Sequence, residues 1–225
     1  MSDIPTIDVQ EFFASFDKKI KIIDFDVPEP NYENGNISFF ETVIICLLCK
    51  NLSPIKILEF GTFNGRTTIN IAANVPEDAH IITVDLPKPQ MNKTKFPLEG
   101  IGLDDEHDEL GYVGLKNKRY NKHPMRLKSK IEQFWMDTAD FPSDDYQEAF
   151  DFIFVDASHT YSNTYNDSYT ALRCIKEKGV ILWHDYNGWP GVTKALNELL
   201  VMAPDPTNYV HIEGTSLVAY YANTN

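Results

Sequence analysis

The apolar positions of this chain fall into short runs separated by longer stretches with a helical repeat. Six- and seven-residue apolar runs that lead into a glycine turn or end on an acid are typical of buried strands. They lie at Ile55–Phe60 (IKILEF), His80–Asp85 (HIITVD), Phe150–Asp156 (FDFIFVD) and Gly179–Asp185 (GVILWHD). The pattern predicts helices at Ile37–Lys50, Arg66–Asn74 and Tyr161–Lys176.

Strands that alternate with helices indicate parallel pairing, because a parallel connection needs a crossover of a dozen or more residues. Nearly continuous apolar strands indicate a sheet covered on both faces. The last two runs, Tyr209–Ile212 and Leu217–Tyr221, are joined by a link (Glu213–Ser216) that permits a hairpin and is too short for a crossover. We therefore predict a doubly wound, mostly parallel α/β sheet that ends in an antiparallel β-hairpin.

The length of 225 residues fits one domain. We interpret residues 1–36, which are acidic and contain prolines, as an N-terminal extension or cap, and residues 37–225 as the domain. Within the domain, residues 86–130 mix prolines, lysines, glycines and an acidic run without clear periodicity. A segment of this kind is either a functional lid or poorly ordered.

Composition and charge narrow the class of protein. A net charge of −13 argues against nucleic acid as a partner, since binding a phosphate backbone needs a cationic face. No apolar run approaches the roughly 18 residues of a membrane span, and the N-terminus lacks the pattern of a signal peptide. Three cysteines, Cys46, Cys49 and Cys174, do not form a disulfide framework, so a cytoplasmic location is expected. Cys46 and Cys49 lie on an apolar helical stretch and are expected in the core.

A glycine-containing turn follows the first predicted strand, with the sequence Glu59-Phe-Gly61-Thr-Phe63-Asn-Gly65-Arg66. A dinucleotide fingerprint, G-x-G-x-x-G, requires glycines where this chain has Phe63 and Arg66, and the P-loop pattern is also absent. The turn therefore fits a nicotinamide cofactor poorly.

Asp85 ends the second predicted strand, where ligands of open α/β sheets bind. Its carboxylate can accept hydrogen bonds from both hydroxyls of a ribose, which fits an adenosine ligand without a pyrophosphate, such as S-adenosylmethionine. The alternative is that Gly61 and Gly65 only make a tight turn and that Asp85 caps the next segment.

These features, with Asp137 after a predicted strand at Lys130–Met136 and the closing hairpin, resemble a class I S-adenosylmethionine-dependent methyltransferase. The resemblance runs from about Ile37 to Tyr221 and is nearest to the small-molecule O-methyltransferases of methyltransferase family 24. It implies a seven-stranded Rossmann-like sheet. It also implies that the cofactor is bound by Glu59, Gly61, Thr62, Phe63, Gly65, Asp85 and Asp137. By that resemblance, Glu59 and the turn hold the methionine part, Asp85 the ribose, and Asp137 lies near the adenine amino group.

Titratable side chains follow the next two predicted strands, at Asp156, His159, His184 and Asp185. If these strands are neighbours, the four side chains meet at one edge of the sheet. A hydroxyl acceptor is activated by a general base or by a divalent cation that lowers its pKa. The residues offer both.

The resemblance implies that Asp156 and Asp185 bind a divalent metal and that His159 is the base. His184 stands where several metal-dependent relatives have an acid. Because Mg²⁺ prefers oxygen ligands, His184 as a third ligand weakens the case for Mg²⁺ and leaves Mn²⁺, Fe²⁺ or no metal open. Alternatives are that Asp156 caps the following helix and that His184 is a structural histidine.

Three further features have open interpretations. Asp167 is expected to be exposed or to pair locally. Basic residues in the lid segment either face an anionic acceptor or form a solvated patch; they are Lys116, Lys118, Arg119 and His123. Trp189 either walls the pocket or begins a helix with Pro190.

The sequence thus predicts an enzyme that moves a methyl group from S-adenosylmethionine to a hydroxyl oxygen of a small molecule, with Mg²⁺ or Mn²⁺ assistance. The pattern [DN]-P-P-[YF] of enzymes that methylate amino groups is absent. Neither nucleic acid nor membrane is expected as a partner, and a homo-oligomer is left open. The rivals are a metal-independent enzyme with His159 as base, a non-catalytic nucleoside-binding domain and a nicotinamide-dependent oxidoreductase.

Overall fold

The computed structural model describes residues 3–16, 23–86, 94–96, 118–202 and 206–222. The strands in these parts of the chain are β1 (Thr6–Ile7), β2 (Lys56–Phe60), β3 (His80–Asp85), β4 (Ile131–Trp135), β5 (Phe150–Val155), β6 (Ile175–Trp183), β7 (Tyr209–Ile212) and β8 (Val218–Tyr221). The helices are α1 (Val9–Ala14), α2 (Phe39–Leu52), α3 (Arg66–Asn74), α4 (Met125–Lys128), α5 (Tyr161–Cys174) and α6 (Pro190–Met202).

One sheet contains all these strands, in the order β1-β7-β8-β6-β5-β2-β3-β4. The central strands pair in parallel, while β8 runs antiparallel between β6 and β7. The predicted doubly wound sheet with its closing hairpin is therefore confirmed. The described sheet has eight strands instead of seven, because the short β1 pairs in parallel with His211 and Ile212 of β7.

The order of strands reverses direction at β2. From β2 the chain adds β3 and then β4 on one side, and it returns with β5 on the other side. In an open α/β sheet, the crevice outside the carboxyl ends of the strands at such a reversal is where ligands bind. The turns after β2, β3, β5 and β6 all open toward this edge.

Helices cover both faces of the sheet, as the apolar strands predicted. Successive strand residues point to opposite faces, so Ile57 joins one core cluster and Leu58 the other. The first cluster contains the buried helix residues Ile44, Ile45, Leu48, Ile69 and Ile71, and the second contains Val192, Leu196, Leu199 and Leu200. Both clusters consist of apolar side chains, and through them the sheet packs between two layers of helices.

Several predicted boundaries shift by a few residues, and the start of α2 and the end of α5 do so for identifiable reasons. Helix α2 begins after Ser38, whose side chain accepts from the backbone N–H of Glu41 while the Glu41 carboxylate accepts from that of Ser38. This capping box satisfies two backbone N–H groups at the helix start. Helix α5 was predicted to reach Lys176, but Ile175 already pairs with Phe150 of β5. Pairing in the sheet thus ends the helix two residues early.

The three cysteines are buried and free. Cys46 and Cys49 lie in the apolar part of α2, as predicted. Among the residues that the structure describes, no helix is both long and apolar enough to cross a membrane.

Replacing Ser38 with alanine should lower the free energy of unfolding by about 1 kcal/mol, because the α2 start loses its side-chain cap. Urea denaturation followed by circular dichroism measures this change. The matched control is Ser162→Ala on the exposed surface of α5, where we expect a change of less than about 0.5 kcal/mol. Equal effects of the two substitutions would contradict the capping role.

Candidate active site

The turn between β2 and α3 is held tightly against β5. Gly61 has a φ of 97° and Gly65 a φ of 79°, a region that favours glycine. A Cβ atom on Gly61 would lie 2.0 Å from the carbonyl oxygen of Asp156, and one on Gly65 would lie 2.7 Å from the ring of Tyr120. Both glycines are therefore required by packing against protein atoms, which the sequence pattern did not reveal.

Thr62 and Phe63 complete this turn. The Thr62 hydroxyl lies 2.6 Å from that of Thr83 on β3, which ties the turn to the neighbouring strand. Phe63 has a φ of 45°, unusual for a residue with a side chain. The turn therefore has a defined shape, with the Phe63 carbonyl turned toward the segment that covers it.

Glu59 is fully buried beneath the turn. Its Oε2 accepts hydrogen bonds from the hydroxyls of Thr68 and Thr83, each at 2.5 Å. Its Oε1 has no hydrogen-bond partner within the described residues. Burial raises the pKa of Glu59 to about 7, against the effect of the two threonine hydroxyls. A buried oxygen without a partner is costly, so this position suits a donor group from a ligand.

Asp85 lies at the end of β3, where the sequence placed it, but it already has a partner. The Nζ of Lys118 donates to Asp85 Oδ2 at 2.5 Å and also to the carbonyl oxygen of Phe63. Burial raises the pKa of Asp85 and lowers that of Lys118, while the attraction between the two opposite charges acts against both shifts. Lys118 has a fully buried side chain.

The expectation of a solvated basic patch in the lid segment was wrong for the described residues. Arg119 is buried and forms ion pairs with Glu29 and Glu33, and His123 also lies against Glu29. Lys116 and the acidic run at 104–106 lie outside the described residues. Folding buries Arg119 and largely shields His123 because Glu29 and Glu33 of the N-terminal stretch are brought over the turn.

Asp137 follows β4 and caps a short 3₁₀ turn, Thr138–Asp140. Its Oδ1 accepts from the backbone N–H of Ala139 and its Oδ2 from that of Lys95, at 3.0 and 2.9 Å. Asp137 therefore follows β4, as the sequence predicted, and both of its carboxylate oxygens accept hydrogen bonds from backbone N–H groups.

Asp167 was predicted to be exposed or to pair locally, and the first of these is wrong. It is 1% exposed on α5 and packs toward the turn at Thr138, although it also accepts a hydrogen bond from Asn166 at 3.4 Å. Burial raises the pKa of Asp167 to about 7. The helix periodicity did not reveal this because Asp167 sits on the face that meets the loop after β4.

The acids and histidines after β5 and β6 meet, because these strands are neighbours in the sheet. The His184 Nδ1 atom lies 3.1 Å from both Asp156 Oδ1 and Asp185 Oδ1. Ligand atoms of Asp156, His184 and Asp185 all lie within 4.8 Å of one another. The three residues form a half-buried group whose nitrogen and oxygen atoms lie close enough together to be able to hold a metal ion.

Glu41 of α2 is a fourth member of this group that sequence reasoning missed. Its Oε2 lies 3.4 Å from His184 Nε2, and its Oε1 accepts from the backbone N–H and the hydroxyl of Ser216. The capping-box spacing Ser38-x-x-Glu41 was a visible signal for the helix start. The contact between Glu41 and His184 joins residues that are far apart in the chain, so the capping-box spacing did not reveal it.

Electrostatics in this group follow from three carboxylates around one imidazole. Burial acts to lower the pKa of His184, but Asp156, Asp185 and Glu41 together raise it well above its usual value. Burial acts to raise the pKa of Asp185 and Glu41, yet hydrogen bonds to the histidines hold both well below the usual range. Burial raises the pKa of Asp156. The negative charges of the carboxylates and the positive charge of His184 thus stabilise one another.

His159 lies beside this group with its ring held on two sides. Its Nε2 is 2.8 Å from Asp185 Oδ2, and its ring stacks on Trp189 at a centroid distance of 4.3 Å. A Cβ on Gly191 would lie 2.4 Å from the His159 carbonyl oxygen, so α6 begins directly against this segment. Helix α6 begins at Pro190, directly after Trp189, which confirms the interpretation that a helix starts here.

A family model described as a methyltransferase domain matches residues 58–186, more than half of the chain. The chain therefore belongs to this methyltransferase family, and the resemblance to methyltransferase family 24 is confirmed. A search of curated protein sequences finds no significant match.

Solved structures of similar fold include O-methyltransferases. TomG from Streptomyces achromogenes, an O-methyltransferase solved with SAM, is 14% identical with a TM-score of 0.55, covering 88% of this chain and 93% of TomG. The methyltransferase PaMTH1 from Podospora anserina was solved with SAH and is 15% identical to this chain, with a TM-score of 0.58. The match covers 85% of this chain and 81% of PaMTH1. The O-methyltransferase NovP is 13% identical to this chain, with a TM-score of 0.60, and the match covers 83% of this chain and 81% of NovP. At these identities the similarity establishes the shared fold.

Replacing Glu59 with glutamine should remove a pH dependence of stability. A carboxyl with a folded pKa of about 7 and an ordinary pKa of 4.5 binds its proton more tightly in the folded state. Its contribution to stability is full below the ordinary pKa and is lost as the pH rises through about 7. From about pH 5 to pH 8, the wild type should lose about 2–3 kcal/mol relative to Glu59→Gln.

Urea denaturation of both proteins at each pH measures this difference. Glu213→Gln, which removes an exposed carboxylate from the hairpin, is the matched control and should follow the wild type. A constant difference between wild type and Glu59→Gln across the pH range would contradict the assignment.

Proposed function

We propose that this protein is a methyltransferase that uses S-adenosylmethionine and transfers the methyl group to a hydroxyl oxygen of a small molecule. The observation that carries the proposal is the contact between the glycine turn and the acid–histidine group. The backbone N–H of Asp156 donates to the carbonyl oxygen of Phe60 at 2.8 Å, and the Asp156 carbonyl lies against Gly61. A cofactor on the turn would therefore lie beside residues that can activate an acceptor.

The residues present fit S-adenosylmethionine at the turn. Glu59 offers a buried oxygen, to which no described residue donates a hydrogen bond, for the amino group of the methionine part. Asp85 offers a carboxylate at the end of β3 for the ribose, and Asp137 lies on the loop where adenine would bind. When bound, this cofactor supplies a methyl group on a sulfonium, which is already a good leaving group. The protein then has to align the acceptor and raise its nucleophilicity.

His159 is proposed as the general base. With its Nε2 directed at Asp185 Oδ2, the imidazole presents Nδ1 as the nitrogen that can take the proton of the acceptor hydroxyl. The parallel stacking on Trp189 fixes the plane of the ring. Asp185 therefore acts on the acceptor through His159.

Asp156, His184 and Asp185 are proposed to hold a divalent cation that lowers the pKa of the acceptor hydroxyl. Two carboxylates and one imidazole suit Mn²⁺ better than Mg²⁺, because Mg²⁺ prefers oxygen ligands. The second candidate is the metal-independent enzyme, supported by the fact that His184 already bridges both carboxylates.

The N-terminal stretch is proposed as a cap on the cofactor side of the domain. Arg66, the first residue of α3, donates to the carbonyl oxygens of Glu29, Pro30 and Ile37. These contacts place the stretch over the start of α3. Residues 86–130 are proposed as a lid; of these, 87–93 and 97–117 lie outside the described residues. Three buried free cysteines support a cytoplasmic location.

Binding of the cofactor is tested by thermal shift with S-adenosylmethionine, S-adenosylhomocysteine, NAD and ATP, each with and without Mn²⁺ or Mg²⁺. We expect both sulfur nucleosides to raise the Tm, because a ligand that binds the folded state stabilises it by mass action. Stabilisation by NAD alone would favour the oxidoreductase and overturn the proposal.

Replacing His159 with glutamine should reduce methyl transfer by about 10²–10⁴-fold. Transfer is measured with methyl-labelled S-adenosylmethionine and a library of small hydroxyl compounds, and S-adenosylhomocysteine binding should be unchanged. The control is His80→Gln, an exposed histidine at the opposite end of β3, which should keep wild-type activity. If His159→Gln is equally active, His159 is not the base.

The metal is tested by chelation and add-back on the same reaction. We expect activity to disappear after dialysis against a chelator and to return with Mn²⁺, and Asp156→Asn to need a higher Mn²⁺ concentration. Full activity after chelation would leave His159 as the unaided base and exclude the metal role.

A further inference from the structure

A short segment, Lys118–His123, covers the glycine turn, and we call it the strap. The backbone N–H of Arg119 donates to the carbonyl oxygen of Asn64 at 2.7 Å. The Tyr120 ring lies against Gly65, so close that a Cβ there would be 2.7 Å from it. The strap thus lies directly on the turn that the proposed function assigns to the cofactor.

The strap is anchored away from the nucleoside position. Arg119 pairs with Glu29 and Glu33 at 3.0 and 2.6 Å, and His123 lies 2.9 Å from Glu29. The Tyr120 hydroxyl donates to Gln133 of β4 at 3.1 Å. These contacts hold the backbone of the strap independently of Lys118.

The side chain of Lys118 fills the gap between the turn and the end of β3. Its Nζ donates both to the Phe63 carbonyl oxygen on one side and to Asp85 Oδ2 on the other. The ammonium also lies 5.1 Å from the centre of the Trp135 ring. Since the Lys118 side chain is 0% exposed, it is enclosed by protein on all sides.

A ribose bound to Asp85 needs the same space and the same acceptor atoms. Its hydroxyls donate to the carboxylate, and the nucleoside must pass between the turn and β3, where Nζ now lies. We propose that Lys118 is an internal competitor for the nucleoside site and must leave Asp85 when the cofactor binds. This inference rests on the proposed function, because it assumes that Asp85 holds the ribose.

The Asp85 carboxylate has a hydrogen-bond partner both before and after the proposed exchange of Lys118 for the ribose. Lys118 satisfies the buried Asp85 carboxylate while no nucleoside is bound, and an unpaired buried charge would be costly. When ribose hydroxyls replace the ammonium, the flexible lysine stem lets Nζ move to water without moving the anchored strap. Breaking the ion pair therefore reduces the affinity for both cofactor and product.

The test compares wild type with Lys118→Met, which keeps the length of the side chain and removes the charge. Isothermal titration with S-adenosylhomocysteine should give a Kd about tenfold lower for the variant, since a charged hydrogen bond no longer has to be broken. Lys122→Met, an exposed lysine of the strap, is the matched control and should bind as the wild type does.

A second measurement uses the wild type, so it tests the competitor role of Lys118 even if Lys118→Met does not fold. Reductive methylation of the wild type, read by mass spectrometry, should leave Lys118 protected in the free protein and modified with saturating S-adenosylhomocysteine. The competitor role alone is overturned by the following result: the wild type binds S-adenosylhomocysteine, but Lys118 stays protected from methylation and Lys118→Met binds no more tightly than the wild type. The proposed function would then still stand. If none of the three proteins binds S-adenosylhomocysteine, the proposed function fails as well.

Discussion

The close approach of β5 to the turn after β2 is the contact on which the rest of the site depends. A single Cβ atom at Gly61 would collide with the Asp156 carbonyl at 2.0 Å, so the absence of a side chain there allows two neighbouring strand ends to share one edge. Asp156 then leaves β5 at a defined point beside the turn. Every later feature, from the His184 group to the ring of His159, is positioned relative to that edge.

Burial of charge is the second constraint on this edge. His184 lies among Glu41, Asp156 and Asp185, and Lys118 lies against Asp85. Taking such groups out of water is costly unless opposite charges and hydrogen bonds compensate. Each of these four acids is therefore matched to a lysine or histidine side chain.

Much of the fold could be predicted from the pattern of the chain. Helix α3 and strand β3 have the predicted bounds, because strong apolar periodicity and clear breakers define them locally. The positions after the strands, such as Asp85 and Asp156, could also be predicted, since the carboxyl ends of parallel strands meet at one edge. The end of α5 could not, because pairing of Ile175 with Phe150 overrides the local helical preference.

The sequence alone thus determined the α/β order, the closing hairpin, the family and the set of polar residues at the strand ends, all of which are encoded in local spacing. Only the tertiary structure decided which of those residues already have partners. Glu41 reaches His184 from 143 positions away along the chain, and Lys118 reaches Asp85 across 33. Contacts over such separations depend on how helices and loops pack on the sheet, and no local pattern records that packing.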